Sequence, residues 1–188
     1  YWMWGTRAGI HVEAFSADGE PAWRVDLGPY AGEHGFGATP ALCGDVLVVP
    51  NDQDDVSFVV GLDVRTGRER WRLPRESRKA GYATPLVVED GPMPLVVLAS
   101  MAHGITGVDP ATGAVLWERR CLPKRTVSSP LLVGGLVVAT CGDGGGDNTL
   151  VAVRLPPRGA AGGPEPEIAY QLDRSVACLL YTSDAADD

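Results

Sequence analysis

Gly61-Leu-Asp-Val-Arg-Thr-Gly-Arg-Glu-Arg-Trp71 is written a second time as Gly107-Val-Asp-Pro-Ala-Thr-Gly-Ala-Val-Leu-Trp117. Both copies fit small-x-Asp-x-x-Thr-Gly-x-x-x-Trp. Asp63 and Thr66, and again Asp109 and Thr112, can hydrogen-bond within their own turn, while Gly67 and Gly113 supply the positive φ that a tight hairpin needs. Apolar runs flank each copy, so each predicts two paired strands. Trp71 and Trp117 then project from the returning strand as large, rigid packing units.

A second marker keeps the same time. Ala38-Thr39-Pro40, Ala83-Thr84-Pro85 and Ser128-Ser129-Pro130 each precede a strand, and their prolines are 45 and 45 residues apart. Trp23, Trp71 and Trp117 are separated by 48 and 46. Two markers in phase at this spacing match a four-stranded propeller blade. The expected fold is therefore all-β, a β-propeller of four-stranded antiparallel blades forming a partial ring over residues 1–176. Three full blades are read at 38–73, 83–118 and 127–172, and part of a fourth at 1–27.

Two units depart from the pattern. Trp23 closes a decayed turn in which Phe15 stands where Asp belongs. In the last unit Arg154 replaces the Asp, residues 156–166 enlarge the turn as an expected flexible surface loop, and Tyr170 takes the Trp place. Residues 177–188 break the repeat and are similar to a translated sequencing-adapter read-through, so they are read as a non-native tail. The opening Tyr1-Trp2-Met3-Trp4 has no initiator Met, and the natural N-terminus is expected upstream.

Composition narrows the function. The formal charge of -8 argues against a nucleic-acid partner, which needs a basic surface. No apolar run approaches the roughly eighteen residues of a transmembrane segment. Cys43, Cys121, Cys141 and Cys178 lack CxxC or zinc spacing, so a metal site is not expected and a disulfide framework is not required.

The Asp-x-x-Thr-Gly-x-x-x-Trp turn with its Ser/Thr-Pro strand openings resembles the pyrroloquinoline quinone (PQQ)-type β-propeller repeat, where it is known as the tryptophan-docking motif. The resemblance implies that Trp71 and Trp117 pack between neighbouring blades and that Gly61 and Gly107 leave room for a docked indole. Trp23 fits the same place less securely. The family includes quinoprotein dehydrogenases, the lipoprotein scaffold of outer-membrane barrel assembly, and secreted sensor domains. Its rings have seven or eight blades, which implies a fragment here, and its members imply a periplasmic or extracellular location.

In a propeller, the connections from the fourth strand to the next blade share one face with those between the second and third strands. The first set holds Tyr30, Glu33 and His34, then Arg75, Arg78 and Lys79, then Lys124 and Arg125. The second set holds Asn51 to Asp55, then His103, then Asp143, Asp147 and Asn148. His34, Arg78, Lys79, His103, Lys124, Arg125, Asp52, Asp54 and Asp143 are accordingly the candidate binding face for a protein partner or a small ligand.

Asn51 to Asp55 lacks the glycine turn of a calcium loop, and Leu62 stands where the distal Glu would be. Residues 141–147 carry no Lys or helix start of a phosphate cradle. No catalytic residue is assigned, since neither the vicinal Cys pair of PQQ dehydrogenases nor a candidate catalytic Asp can be picked out. The expected role is a non-catalytic ligand-sensing or protein-interaction module with no cofactor. The alternatives are a piece of a PQQ- and calcium-dependent dehydrogenase and a barrel-assembly scaffold.

Overall fold

The computed structural model describes residues 1–6, 8–76, 78–91, 93–143, 146–157 and 161–173, and among them all regular structure is β. The tail read over 177–188, Cys178 included, lies outside the described residues. The strands pair as four antiparallel meanders, which is a partial β-propeller.

The first sheet has three strands, β1 (Trp2–Thr6), β2 (Gly9–Phe15) and β3 (Pro21–Asp26). The second has β4 (Ala41–Cys43), β5 (Val46–Asn51), β6 (Ser57–Asp63) and β7 (Glu69–Arg75). The third has β8 (Leu86–Val88), β9 (Leu95–Ser100), β10 (Gly104–Val108) and β11 (Val115–Arg119). The fourth has β12 (Leu131–Val133), β13 (Leu136–Asp143), β14 (Gly146–Arg154) and β15 (Ile168–Leu172).

The burial pattern explains the sequence. β5, β9 and β10 are buried at every residue, because each lies in a sheet covered on both faces. Along β5 the side chains alternate between two cores. Leu47 and Val49 join Ile10, Val12, Phe58 and Val60 between the first and second blades. Val46 and Val48 join Val59, Trp71, Val96 and Leu98 between the second and third. A strand that feeds two cores is apolar at successive positions rather than at alternate ones.

The indoles close these cores. Trp71 lies across Gly61, its cross-strand partner, where a Cβ would overlap the ring. It then reaches the next blade, donating from Nε1 to Pro110 O at 2.8 Å and covering Gly113. A Cβ on Gly113 would stand 2.5 Å from the ring, and its φ of 75° is one that L side chains rarely adopt. Trp23 makes the equivalent contact with Gly67 and donates to Val64 O at 3.0 Å, despite its decayed turn. Trp117 lies across Gly107 in the same way and is buried.

A β-bulge, which the sequence reading did not contain, accompanies every one of these aromatics. The register slips opposite Trp23, Trp71, Trp117 and Tyr170, each time by one extra residue just before the ring. A bulge increases local twist and re-aims the side chain beside it, and Trp23 and Trp71 reach the neighbouring blade from it.

The enlarged turn of the last blade differs from the free loop expected. Arg154 N donates to Glu167 O at 2.9 Å, the same closing bond that Asp63 N makes to Arg68 O at 2.8 Å. Gly162 and Gly163 then donate to Val115 O and Leu116 O of β11. The outermost strand of a blade leaves edge carbonyls unpaired, and the insertion covers part of that edge.

Trp71→Ala is expected to cost about 3–5 kcal/mol, the range for truncating a buried aromatic. Gly113→Ala is expected to destabilise as well, and the double variant by less than the sum, because the steric overlap needs the ring. Denaturant melts of the four proteins measure this; strict additivity would mean that the two residues do not meet.

Candidate functional site

The connections β3–β4, β7–β8 and β11–β12 meet the β5–β6 and β9–β10 turns on one face, and the backbone knits them together. Asp54 N donates to Ala31 O at 2.9 Å, Gly81 N to Asp52 O at 3.1 Å, and Tyr82 N to Thr126 O at 3.0 Å. Gln53, buried, accepts from Ala31 N at 2.6 Å and donates to Val56 O at 2.8 Å. The face is therefore a continuous bonded surface.

Its acidic candidates are engaged inward. Asp52 accepts from Arg75 Nε at 2.7 Å, and Arg75, with only 1% of its side chain exposed, also donates to Ser100 Oγ at 2.6 Å. Asp54 accepts from Ala80 N at 2.7 Å. These carboxylates hold the β5–β6 turn against the following blade connection. Arg75, which the sequence placed in a connection, is the last residue of β7. No periodic signal marks it as a buried ion-pair partner. The side chain of Asp143 lies outside the described residues.

His103 is also tied down. Glu76 N donates to its Nε2 at 2.9 Å, so Nδ1 carries the proton and donates to Glu118 Oε2 at 2.8 Å. Arg120 closes the circuit, donating to Glu118 at 2.9 Å and to Glu76 at 2.7 Å. The Arg120 guanidinium, and then Arg78 beyond it, hold the Glu76 carboxyl below the usual glutamate range. Glu76, Glu118 and Arg120 were not among the sequence candidates; ionic partners that distant in sequence carry no local pattern.

Beside this circuit, Arg78, Met101, Ala102, Arg120, Leu122 and Pro123, with Cys121, line an open cavity of about 250 Å³. Burial pushes the Cys121 thiol up to about 11, so it stays protonated and a poor nucleophile at neutral pH.

The exposed candidates gather elsewhere on the face. Glu33, 59% exposed, stands 3.3 Å from Arg125 Nη2 and 3.5 Å from Lys79 Nζ, so three successive connections converge on one carboxylate. The Arg125 hydrogen bond, then Lys79, lowers its pKa. Arg125 is mostly buried and its guanidinium lies 5.9 Å over the Tyr82 ring. His34 is exposed, with Nε2 3.9 Å from Glu33. The structure thus brings His34, Lys79 and Arg125 to Glu33, sets Asp52, Asp54 and His103 into internal ties, and puts Arg78 at the cavity. Lys124 precedes Arg125 in the same connection.

Among the described residues, no group of three His, Cys, Asp or Glu side chains is placed to hold a metal ion. Asp52 and Asp54 each have one carboxylate oxygen engaged, by Arg75 Nε and by Ala80 N.

A family model described as outer membrane protein assembly factor BamB matches residues 8–155. BamB from Moraxella catarrhalis aligns with a TM-score of 0.53 at 23% identity, over 80% of this chain and 45% of that one. The quinohemoprotein alcohol dehydrogenase ADHIIG from Pseudomonas putida HK5 aligns at 0.51 and 18% identity, over 76% of this chain and 21% of that one. The computationally designed Ika8 protein aligns at 0.52 and 12% identity, over 90% of this chain and 48% of that one. These likenesses are of fold, and the chain spans less than half of each structure's length. No curated protein sequence matches it.

Two variants test the ties. Arg75→Met leaves the Asp52 carboxylate buried without its partner and is expected to cost about 3–5 kcal/mol, read as a lower denaturant midpoint. Glu76→Gln tests the circuit by pH. The folded pKa of Glu76 lies below the ordinary value of about 4.5, so its contribution is complete above that value and is lost as pH falls through the folded pKa. The melting temperature of the wild type is expected to exceed that of the variant at pH 7 and to converge with it in acid. A gap that persists unchanged at pH 2 would remove the Glu76 carboxylate from the stabilising circuit.

Proposed function

This chain belongs to the PQQ-like propeller repeat family, through the model described as outer membrane protein assembly factor BamB, and on that premise we propose that it is a non-catalytic protein-interaction module of the outer-membrane-assembly kind. It works outside the cytoplasm and needs no cofactor. Its mechanism is presentation, in which stacked blades hold the inter-blade connections in fixed relation and a partner reads the resulting surface.

The convergence of three blade connections on Glu33 carries this reading. Such a surface suits recognition of a polypeptide, because its charged groups come from different blades at positions fixed by the backbone bonds beneath them. The inward engagement of Asp52 and Asp54 supports it further, since those carboxylates serve the scaffold. Among the described residues no helix is long and apolar enough to cross a membrane, which fits a module that meets its partner by a surface.

A quinoprotein dehydrogenase is the competing reading, favoured by the structural likeness to the quinohemoprotein alcohol dehydrogenase. Exporting the tagged chain to a Gram-negative periplasm and crosslinking separates the two. The expected result is recovery of the outer-membrane barrel insertase, with no saturable change of Trp fluorescence on adding PQQ and calcium. Saturable, calcium-dependent quenching without insertase recovery would overturn the proposal in favour of the dehydrogenase.

A further inference from the structure

Nitrogen-bearing side chains of the loop face follow the repeat. His34, Lys79 and Lys124 are separated by 45 and 45 residues, the same spacing as the prolines that open each blade, so each occupies the same place in successive connections. Arg125 adjoins the last of them and is held over Tyr82. One position per blade therefore carries a nitrogen side chain, two of the three exposed, on a chain whose formal charge is -8.

Glu33 is the carboxylate this arrangement already holds. It comes from the first connection and meets cations from the second and third, Lys79 at 3.5 Å and Arg125 at 3.3 Å. A carboxylate 59% exposed and shared by two cations leaves them with net positive charge and is itself exchangeable with solvent groups. Lys79, 53% exposed, is reachable from outside, while Arg125 supplies a pre-oriented planar donor fork.

We infer that this row binds an acidic, extended segment of a partner polypeptide, whose carboxylates displace Glu33 from Lys79 and Arg125. Glu33 acts as an internal competitor that keeps the cations paired until the segment arrives. The row runs from blade to blade, so a segment with several carboxylates engages successive connections, whereas a single carboxylate replaces Glu33 at no gain. This inference rests on the protein-interaction reading and names the chemistry of the partner.

The test uses the 188-residue chain and a capped hexaglutamate peptide, with capped hexaglutamine as control, in calorimetric titrations at low ionic strength. The expected result is binding of hexaglutamate alone, weakened by added salt as exposed charge pairing must be. Glu33→Gln is expected to tighten binding several-fold by removing the competitor. Lys79→Gln and Arg125→Gln are each expected to weaken it several-fold. Arg125→Gln also loses packing on Tyr82, so the exposed Lys79→Gln variant carries the decision if the former melts early.

Absence of hexaglutamate binding to both wild type and Glu33→Gln would overturn the inference, as would a Glu33→Gln affinity equal to or below that of wild type. The two proposals fail separately. Insertase recovery that is undiminished by Lys79→Gln and Arg125→Gln overturns the acidic-segment site and leaves the interaction module standing. Peptide binding with the expected variant pattern, in a chain that recovers no insertase and is quenched by PQQ, keeps the site and removes the assembly role.

Discussion

An indole laid over a neighbouring blade's glycine is the contact on which the remaining architecture depends. A blade has two faces to bury, and a twisted four-stranded sheet can bury both only by wedging between two others. Trp71 spans that wedge, with Gly61 beneath it, Gly113 against its outer face and Pro110 O accepting its N–H. The hydrogen bond matters because it leaves no polar atom of the ring unsatisfied in an apolar seam. The glycines matter for two reasons, since Gly113 must adopt positive φ for its turn and must also lack a Cβ for the ring to approach.

Asp63 is the second half of the device. Its carboxylate accepts from Thr66 N at 2.9 Å, Thr66 Oγ1 at 2.9 Å and Arg65 N at 3.1 Å, fixing the turn on which Trp23 rests. Arg70 clamps the other oxygen at 2.5 Å, and together these partners hold its pKa well below the ordinary carboxylate range. Asp109 does the same for the next turn, accepting from Ala111 N and Thr112 Oγ1. Each turn is thus held by its own side-chain hydrogen bonds as well as by the indole that rests on it. That division explains why the motif recurs as a block, with Asp, Thr and Gly shaping a seat for the Trp of the blade before.

The fold was legible because the turn motif reports this contact and the Ser/Thr-Pro strand openings repeat in phase with it. Asp, Thr, Gly and Trp are spaced by a turn whose geometry tolerates few substitutes, so two copies in phase disclosed the blade. The decayed copy around Trp23 agrees, for that ring docks at Gly67 and Val64 O of the next blade's intact turn and does not depend on the turn in which Phe15 replaces the Asp. The bulges were not legible, since an extra residue before an aromatic has no composition of its own: Ala22, Arg70, Leu116 and Ala169 fill that place. The candidate face was legible only as a set of loops. Arg75 pairing with Asp52, or Arg120 with Glu76, joins residues 23 and 44 positions apart, and no pattern in either loop records the partner.

The face divides its charges by depth, and that division bears on what it can do. Arg75 and Asp52 are paired out of water, where removing either leaves an uncompensated charge, so this pair is committed to holding the blade connections in place. Glu33, Lys79 and His34 lie in water, where an ion pair is worth little and exchanges readily. A surface built this way is rigid in position and labile in pairing. Rigidity comes from the buried layer and from backbone bonds such as Tyr82 N to Thr126 O, and it lowers the ordering cost of recognition. Lability leaves the outer carboxylate replaceable, so the same loops that close the scaffold can change partners without disturbing it.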